Sequence, residues 1–195
     1  ETLSIEKISV IYSMLEQENM ELVILDKTPK IAVYSPPNQQ PWDDAVTLAL
    51  TYAEIKYEVV FDDEVMNGDL YKYDWLHLHH EDFTGQYGKF YRYRNQNWYK
   101  EMENTFTKTA KKYNFDTVHK FKKTIAVKIR DYVSKGGFLF AMCSATDSFD
   151  IALSFYNVDF AHSIYDGTPI DKINISNVDF ENGIAFENYE LYTDP

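Results

Sequence analysis

The sequence predicts an α/β fold, a flavodoxin-like three-layer sandwich with a mostly parallel sheet and a helical insertion. Short apolar runs alternate with amphipathic stretches of helical period, the order that builds parallel strands joined by helical crossovers. The run Phe138-Leu-Phe-Ala-Met142 is apolar throughout, the pattern of a strand buried on both faces of such a sheet. The 195 residues, 45 % of them hydrophobic, suffice for a core without disulfides. This composition excludes a disordered chain, a collagen-like repeat and a disulfide mini-protein. A single cysteine, Cys143, excludes an intrachain disulfide. No apolar run approaches the ~20 residues of a membrane span.

Each element follows from local pattern. Ser4 to Gln17 reads as a helix, with Ile5, Ile8, Tyr12 and Leu15 at helical spacing and Ser4 as its cap. Leu22 to Leu25 is a short apolar run that suits a strand or a helix end. Lys30 to Ser35 is a strand, stopped by Pro36-Pro37. After a loop over Asn38–Trp42, Asp43 and Asp44 suit a helix N-terminus, and Ala45, Leu48, Tyr52 and Ile55 mark its apolar face. Tyr57–Phe61 is the next strand, Asn67-Gly68-Asp69 a turn, and Tyr73–His80 a strand with alternating polarity. His119 to Lys135 forms a helix with Phe121, Ile125, Ile129, Tyr132 and Val133 on one side and its basic residues mostly opposite. Gly136-Gly137 ends it before the Phe138–Met142 strand. Ser144–Ser148 opens a helix that continues over Phe149–Tyr156. From about Asp159 the chain is turn-rich, predicting irregular structure or an edge hairpin. The organisation expected is an N-terminal helix and connector over 1–29 and an α/β domain over 30–195, with the insertion at about 84–118. The chain opens on Glu1 without a visible signal peptide, so a processed or truncated piece of a longer protein is expected.

Charge is unevenly spread. The net charge is −12, yet Thr84–Lys135 holds 13 Lys/Arg against 4 Asp/Glu, leaving 6 against 27 elsewhere. Tyr87, Phe90, Tyr91, Tyr93, Trp98, Tyr99 and Phe106 share the basic stretch, a mixture able to stack on bases or sugars. An acidic chain repels nucleic acid as a whole. The expectation is a helical insertion whose basic face offsets the acidic body, with no nucleic-acid partner.

In open parallel sheets ligands bind beyond the carboxyl ends of the strands. Three such ends, Tyr34-Ser35, His77-Leu-His-His-Glu-Asp82 and Cys143-Ser144, become neighbours in a flavodoxin-type strand order. A thiol at a strand-to-helix junction faces the positive end of the helix, which favours the thiolate. The following N–H groups suit an oxyanion. The alternative is a small buried hydrophobe, with Ser144 or Thr146 as a simple cap. On a strand, His77 and His79 share a face. With Glu81 or Asp82 they suit zinc or another divalent ion; one imidazole suits the base that activates Cys143; or the cluster is a hydrogen-bonded strand end. Neither a G-x-x-x-x-G-K-[ST] nor a G-x-G-x-x-G loop occurs, and no cofactor is expected. His162 lacks a carboxylate two residues on.

Tyr73-Asp-Trp-Leu-His-Leu78, followed by Tyr132-Val-Ser-Lys-Gly-Gly-Phe-Leu-Phe-Ala-Met-Cys-Ser-Ala145, resembles the class I glutamine amidotransferase-like family, whose strand ends in a G-x-C-x-G cysteine elbow. Residues 30–50, 73–90 and 137–153 are similar to bacterial proteins named asparagine synthetase B, which carry a secretion signal; that resemblance implies an exported or periplasmic protein. Ala141 and Ala145 stand at the elbow glycines, His79-His80 at the oxyanion-loop glycines, and the H-x-E pair after the cysteine is absent. No S-G-G-x-D-S loop of ATP-dependent asparagine synthetases is present, so the resemblance carries the fold rather than asparagine synthesis. It implies Cys143 as nucleophile, and His80 or His79 as base with Glu81 orienting it completes the expected hydrolase of amides or esters, glutamine being the family substrate. Tyr34, Ser35, Trp42 and Ser144 are the expected substrate contacts. The rival expectation is a non-catalytic small-molecule or carbohydrate binding domain using Trp42, Tyr34 and the insertion rings, with a possible metal at His77 and His79.

Overall fold

A computed structural model describes residues 4–20, 28–37 and 45–193. Its centre is a parallel sheet of β1 (Ile31–Tyr34), β2 (Tyr57–Val60), β3 (Trp75–Leu78) and β4 (Phe138–Ala141). The order is β2-β1-β3-β4, and the register aligns Val33 with His77 and His77 with Phe140. The predicted α/β class and the adjacency of the three strand ends are therefore present. The helices are α1 (Ile5–Gln17), α2 (Ala45–Tyr52), α3 (Asp62–Asn67), α4 (Asn97–Lys112), α5 (Val118–Ser134), α6 (Ser144–Ser154) and α7 (Ser163–Asp166).

The main core lies on one sheet face. Ala32, Tyr34, Leu76 and Leu78 alternate inward and meet Phe121, Ile125, Ile129 and Tyr132 of α5, with Phe83, Phe149 and Leu153 beside them. Ile31, Val33 and His77 point to the second face and are also buried, and α2 buries Thr47 and Leu50. Two expectations are corrected here. The predicted face of α2 is turned outward: Leu48 and Tyr52 are exposed, and Ile55 lies beyond the helix end. Its sequence, Ala-Val-Thr-Leu-Ala-Leu-Thr-Tyr, is apolar around most of the circumference, so period alone does not choose a face. The strand β4 is not covered on both faces; Phe138 is 59 % and Phe140 39 % exposed. Among the described residues it is the edge strand, with a neighbour on one side only. Most basic residues of α5 stay out of the core, as Lys120, Lys128 and Arg130 do, while Lys122 and Lys123 are buried.

Local chemistry explains the remaining boundaries. The Phe61 N–H donates to Glu64 Oε2 at 2.9 Å and starts α3, a helix beyond those expected from local pattern; Gly68 ends it at φ +80°. Gly136, at φ +96°, ends α5, and its N–H donates to Val133 O at 2.9 Å. The insertion is helical as expected, with a 3-10 turn over Gly88–Tyr93 and then α4, whose Tyr99 and Ala110 are buried. Gly85 lets the chain before it press against α5: a Cβ there would lie 2.5 Å from His119 Cα. Beyond α6 the chain is irregular apart from the short α7 and two 3-10 turns, and no strand or hairpin forms there among the described residues. Asp150 holds this segment; its buried carboxylate accepts the N–H groups of Ile184, Ala185 and Phe186 at 2.6, 3.1 and 2.9 Å. The helix α1 buries no residue; the Leu22–Leu25 run and the Asn38–Asp44 segment lie outside the described residues.

Candidate functional site

The last pairing bond of β4, Met142 N–H to Leu78 O at 3.0 Å, leads straight into Cys143. Cys143 takes φ +52° and ψ −137° and is the N-cap of α6. A side chain other than glycine held there costs of order 1–3 kcal/mol and persists only where its surroundings impose it. The surroundings are tight. Ala145 N–H bonds Met142 O at 3.1 Å, while Thr146 bonds Cys143 O through N–H at 3.2 Å and through Oγ1 at 2.6 Å. The chain thus reverses from strand to helix within two residues and leaves the Cys143 side chain exposed. The result is a sharp, strained strand-to-helix turn with its cysteine exposed at the bend. Among the described residues the Ser144 N–H makes no hydrogen bond, and it lies at the positive end of an 11-residue helix.

The histidine segment is tied to this elbow. Ser144 Oγ donates to His80 O at 3.0 Å, Ser148 Oγ to Glu81 O at 2.9 Å, and the Phe83 N–H reaches Ser148 Oγ at 3.3 Å. The three histidines then differ in kind. His77 is fully buried, with Nδ1 3.2 Å from Phe140 O and its ring against Phe140 and His79. It is packed into the sheet face. His79 is half-buried and His80 exposed, their rings 3.5 Å apart between centroids. Glu81 accepts the His79 backbone N–H at 2.6 Å, which shapes the turn after β3. Among the described residues the Cys143 thiol has no hydrogen bond to either imidazole. Nor does any group of three or more His, Cys, Asp or Glu side chains among those residues form a possible metal centre around His77 and His79.

The other expected contacts are placed differently. Trp42 lies outside the described residues. Ser144 is at the elbow and exposed. Ser35 is buried, and its N–H continues the sheet pairing to Val60 O at 2.9 Å. Tyr34 does not line an open crevice; it is fully buried, and its hydroxyl donates to Asp62. Lys122 Nζ closes this group, 2.8 Å from both Asp62 oxygens and 3.0 Å from Tyr34 Oη. Burial first, and the Asp62 charge second, push the Tyr34 hydroxyl well above its usual pKa and keep it a donor. Phe61, Phe106 and Tyr34 surround the ammonium with centroids at 4.3, 4.9 and 5.4 Å. The signal was present in the sequence: Lys122 stands three, four and seven residues before Ile125, Ala126 and Ile129, on the buried stripe itself.

The fold and the elbow define the class, an α/β chain with the strand order of flavodoxin-like sandwiches and an exposed cysteine at a strand-to-helix turn. Set against protein-family models, curated proteins and solved structures, the chain matches none of them.

Proposed function

We propose that the chain is a cysteine-dependent hydrolase of amide or ester bonds, of the amidotransferase-like kind that its sequence resembles. The observation that carries this reading is the exposed Cys143 held at φ +52° between strand and helix. In the proposed reaction the Cys143 thiolate adds to the substrate carbonyl carbon. The oxyanion that forms takes a hydrogen bond from the Ser144 N–H and the field of α6. His80 or His79 accepts the thiol proton and returns it to the departing amine or alcohol as the carbon–nitrogen or carbon–oxygen bond breaks. Water, deprotonated by the same imidazole, then cleaves the thioester and restores the thiol. Glutamine, the substrate of the resembling family, is the first amide to test.

A second reading has its own support: the thiol makes no hydrogen bond to an imidazole among the described residues, and Ala141 and Ala145 replace the elbow glycines. On that reading the same strand ends bind a small molecule without chemistry. Iodoacetamide alkylation of Cys143 at neutral pH, followed by mass spectrometry, separates the two. The hydrolase reading expects alkylation faster than that of free cysteine, slowed by His80→Ala or His79→Ala. A rate equal to that of free cysteine, unchanged in both variants, rejects the hydrolase in favour of binding.

A further inference from the structure

A cavity of about 340 Å³ opens between the first half of α5 and the chain that follows α6, and it shares no lining residue with the cysteine elbow. Its inner wall contains Lys123, which is 4 % exposed. The Lys123 ammonium donates to Val158 O at 2.7 Å and less closely to Phe155 O at 3.4 Å. An ammonium has three donors, so these two carbonyls leave one unused. No carboxylate of the described residues lies within 4.0 Å of it. Buried cations without an anion are costly, and proteins rarely keep them unpaired.

The nearby acids do not supply the missing partner. Asp159 accepts the Ala161 N–H at 3.3 Å and the Thr168 hydroxyl at 3.1 Å, and Asp171 accepts the Asp159 N–H at 2.8 Å. These contacts close the turn; Asp159 Oδ1 also lies 3.7 Å from His119 Nε2, and both carboxylates line the cavity without coming within 4.0 Å of the Lys123 ammonium. Desolvation of Lys123 outweighs both negative charges and lowers its pKa to about 8. His119, on the same wall, is held neutral chiefly by burial and then by Lys123 itself, so it adds no second buried cation. Lys120 stands at the exposed rim with Asn157.

We propose that this cavity binds a small oxyanion, a carboxylate or a phosphate, paired with the Lys123 ammonium and drawn in past Lys120. The ligand supplies the acceptor that the third Lys123 N–H lacks. Calorimetric titration of the whole chain with acetate and with inorganic phosphate, in chloride of matched ionic strength, tests this. Saturable binding of at least one is expected, and which one binds tells a carboxylate site from a phosphate site. Lys123→Met is expected to weaken that binding roughly tenfold or more, the loss of one charge-assisted hydrogen bond. Lys120→Ala is expected to weaken it several-fold. Absence of saturable binding by either anion overturns the proposal, as does unchanged affinity in Lys123→Met. If circular dichroism shows Lys123→Met unfolded, unchanged affinity in Lys120→Ala overturns it instead.

Discussion

Replacing Lys122 by Met keeps the length of the side chain and removes its charge. The position is severe. Asp62 is 1 % exposed, and Lys122 provides hydrogen bonds of 2.8 Å to both its oxygens. After the substitution Asp62 keeps only the Tyr34 hydroxyl among these partners, a neutral donor for a buried carboxylate. Removing one partner of a buried pair costs about 3–5 kcal/mol, mostly the desolvated charge left behind. We expect Lys122→Met to lose about 4 kcal/mol, or roughly 10 °C in Tm for a chain of this size. The double variant Asp62→Asn with Lys122→Met strands no charge and keeps an amide for Tyr34. It should lose only about 1–2 kcal/mol, giving a coupling of at least ~2 kcal/mol. Urea denaturation of the wild type, both single variants and the double variant, followed by circular dichroism, measures the cycle. A loss below ~1 kcal/mol for Lys122→Met, or a double variant that costs the sum of the singles, would refute the buried triad.

Two further outcomes follow from the same coordinates. Asp150→Ala removes three charge-assisted bonds, but Ile184 and Phe186 are half exposed and their N–H groups regain water, so a net loss of about 2–4 kcal/mol is expected; amide exchange at residues 184–186 should accelerate, and unchanged protection there contradicts the anchoring role. Lys123 binds its proton more weakly folded, with a pKa near 8, than at its ordinary 10.5, so below pH 8 its charging opposes folding by about 3 kcal/mol. As pH rises from 8 to 10.5 the unfolded chain still holds the proton and the folded chain does not, so stability rises. Wild type should therefore gain about 2–3 kcal/mol relative to Lys123→Met between pH 7 and pH 10 by urea denaturation, and a constant difference contradicts the burial of that charge.

The sequence by itself determined the order of the four strands and of the longer helices. The β1 strand ends near Pro36-Pro37, α5 ends at Gly136-Gly137, and the thiol falls at a strand-to-helix junction because glycine, proline and hydrophobic period act within a few residues. The adjacency of the Tyr34, His77–Asp82 and Cys143 ends followed from the rules of parallel sheets rather than from any single residue. Only the tertiary structure decided which of these residues face an opening. Tyr34 reads as a crevice aromatic in the sequence and is a core hydrogen-bond donor in the fold. Phe138 and Phe140 read as fully buried and stand at a sheet edge. The backbone angle of Cys143, the separation of buried His77 from exposed His80, and the partners that buried Lys122 and Lys123 meet were likewise settled by packing. The reason is range. Turn and helix signals are carried by neighbours in the chain, whereas burial of a charge or a ring depends on partners 28, 60 and 88 residues away, as in the Tyr34–Asp62–Lys122 group, and no local pattern encodes those.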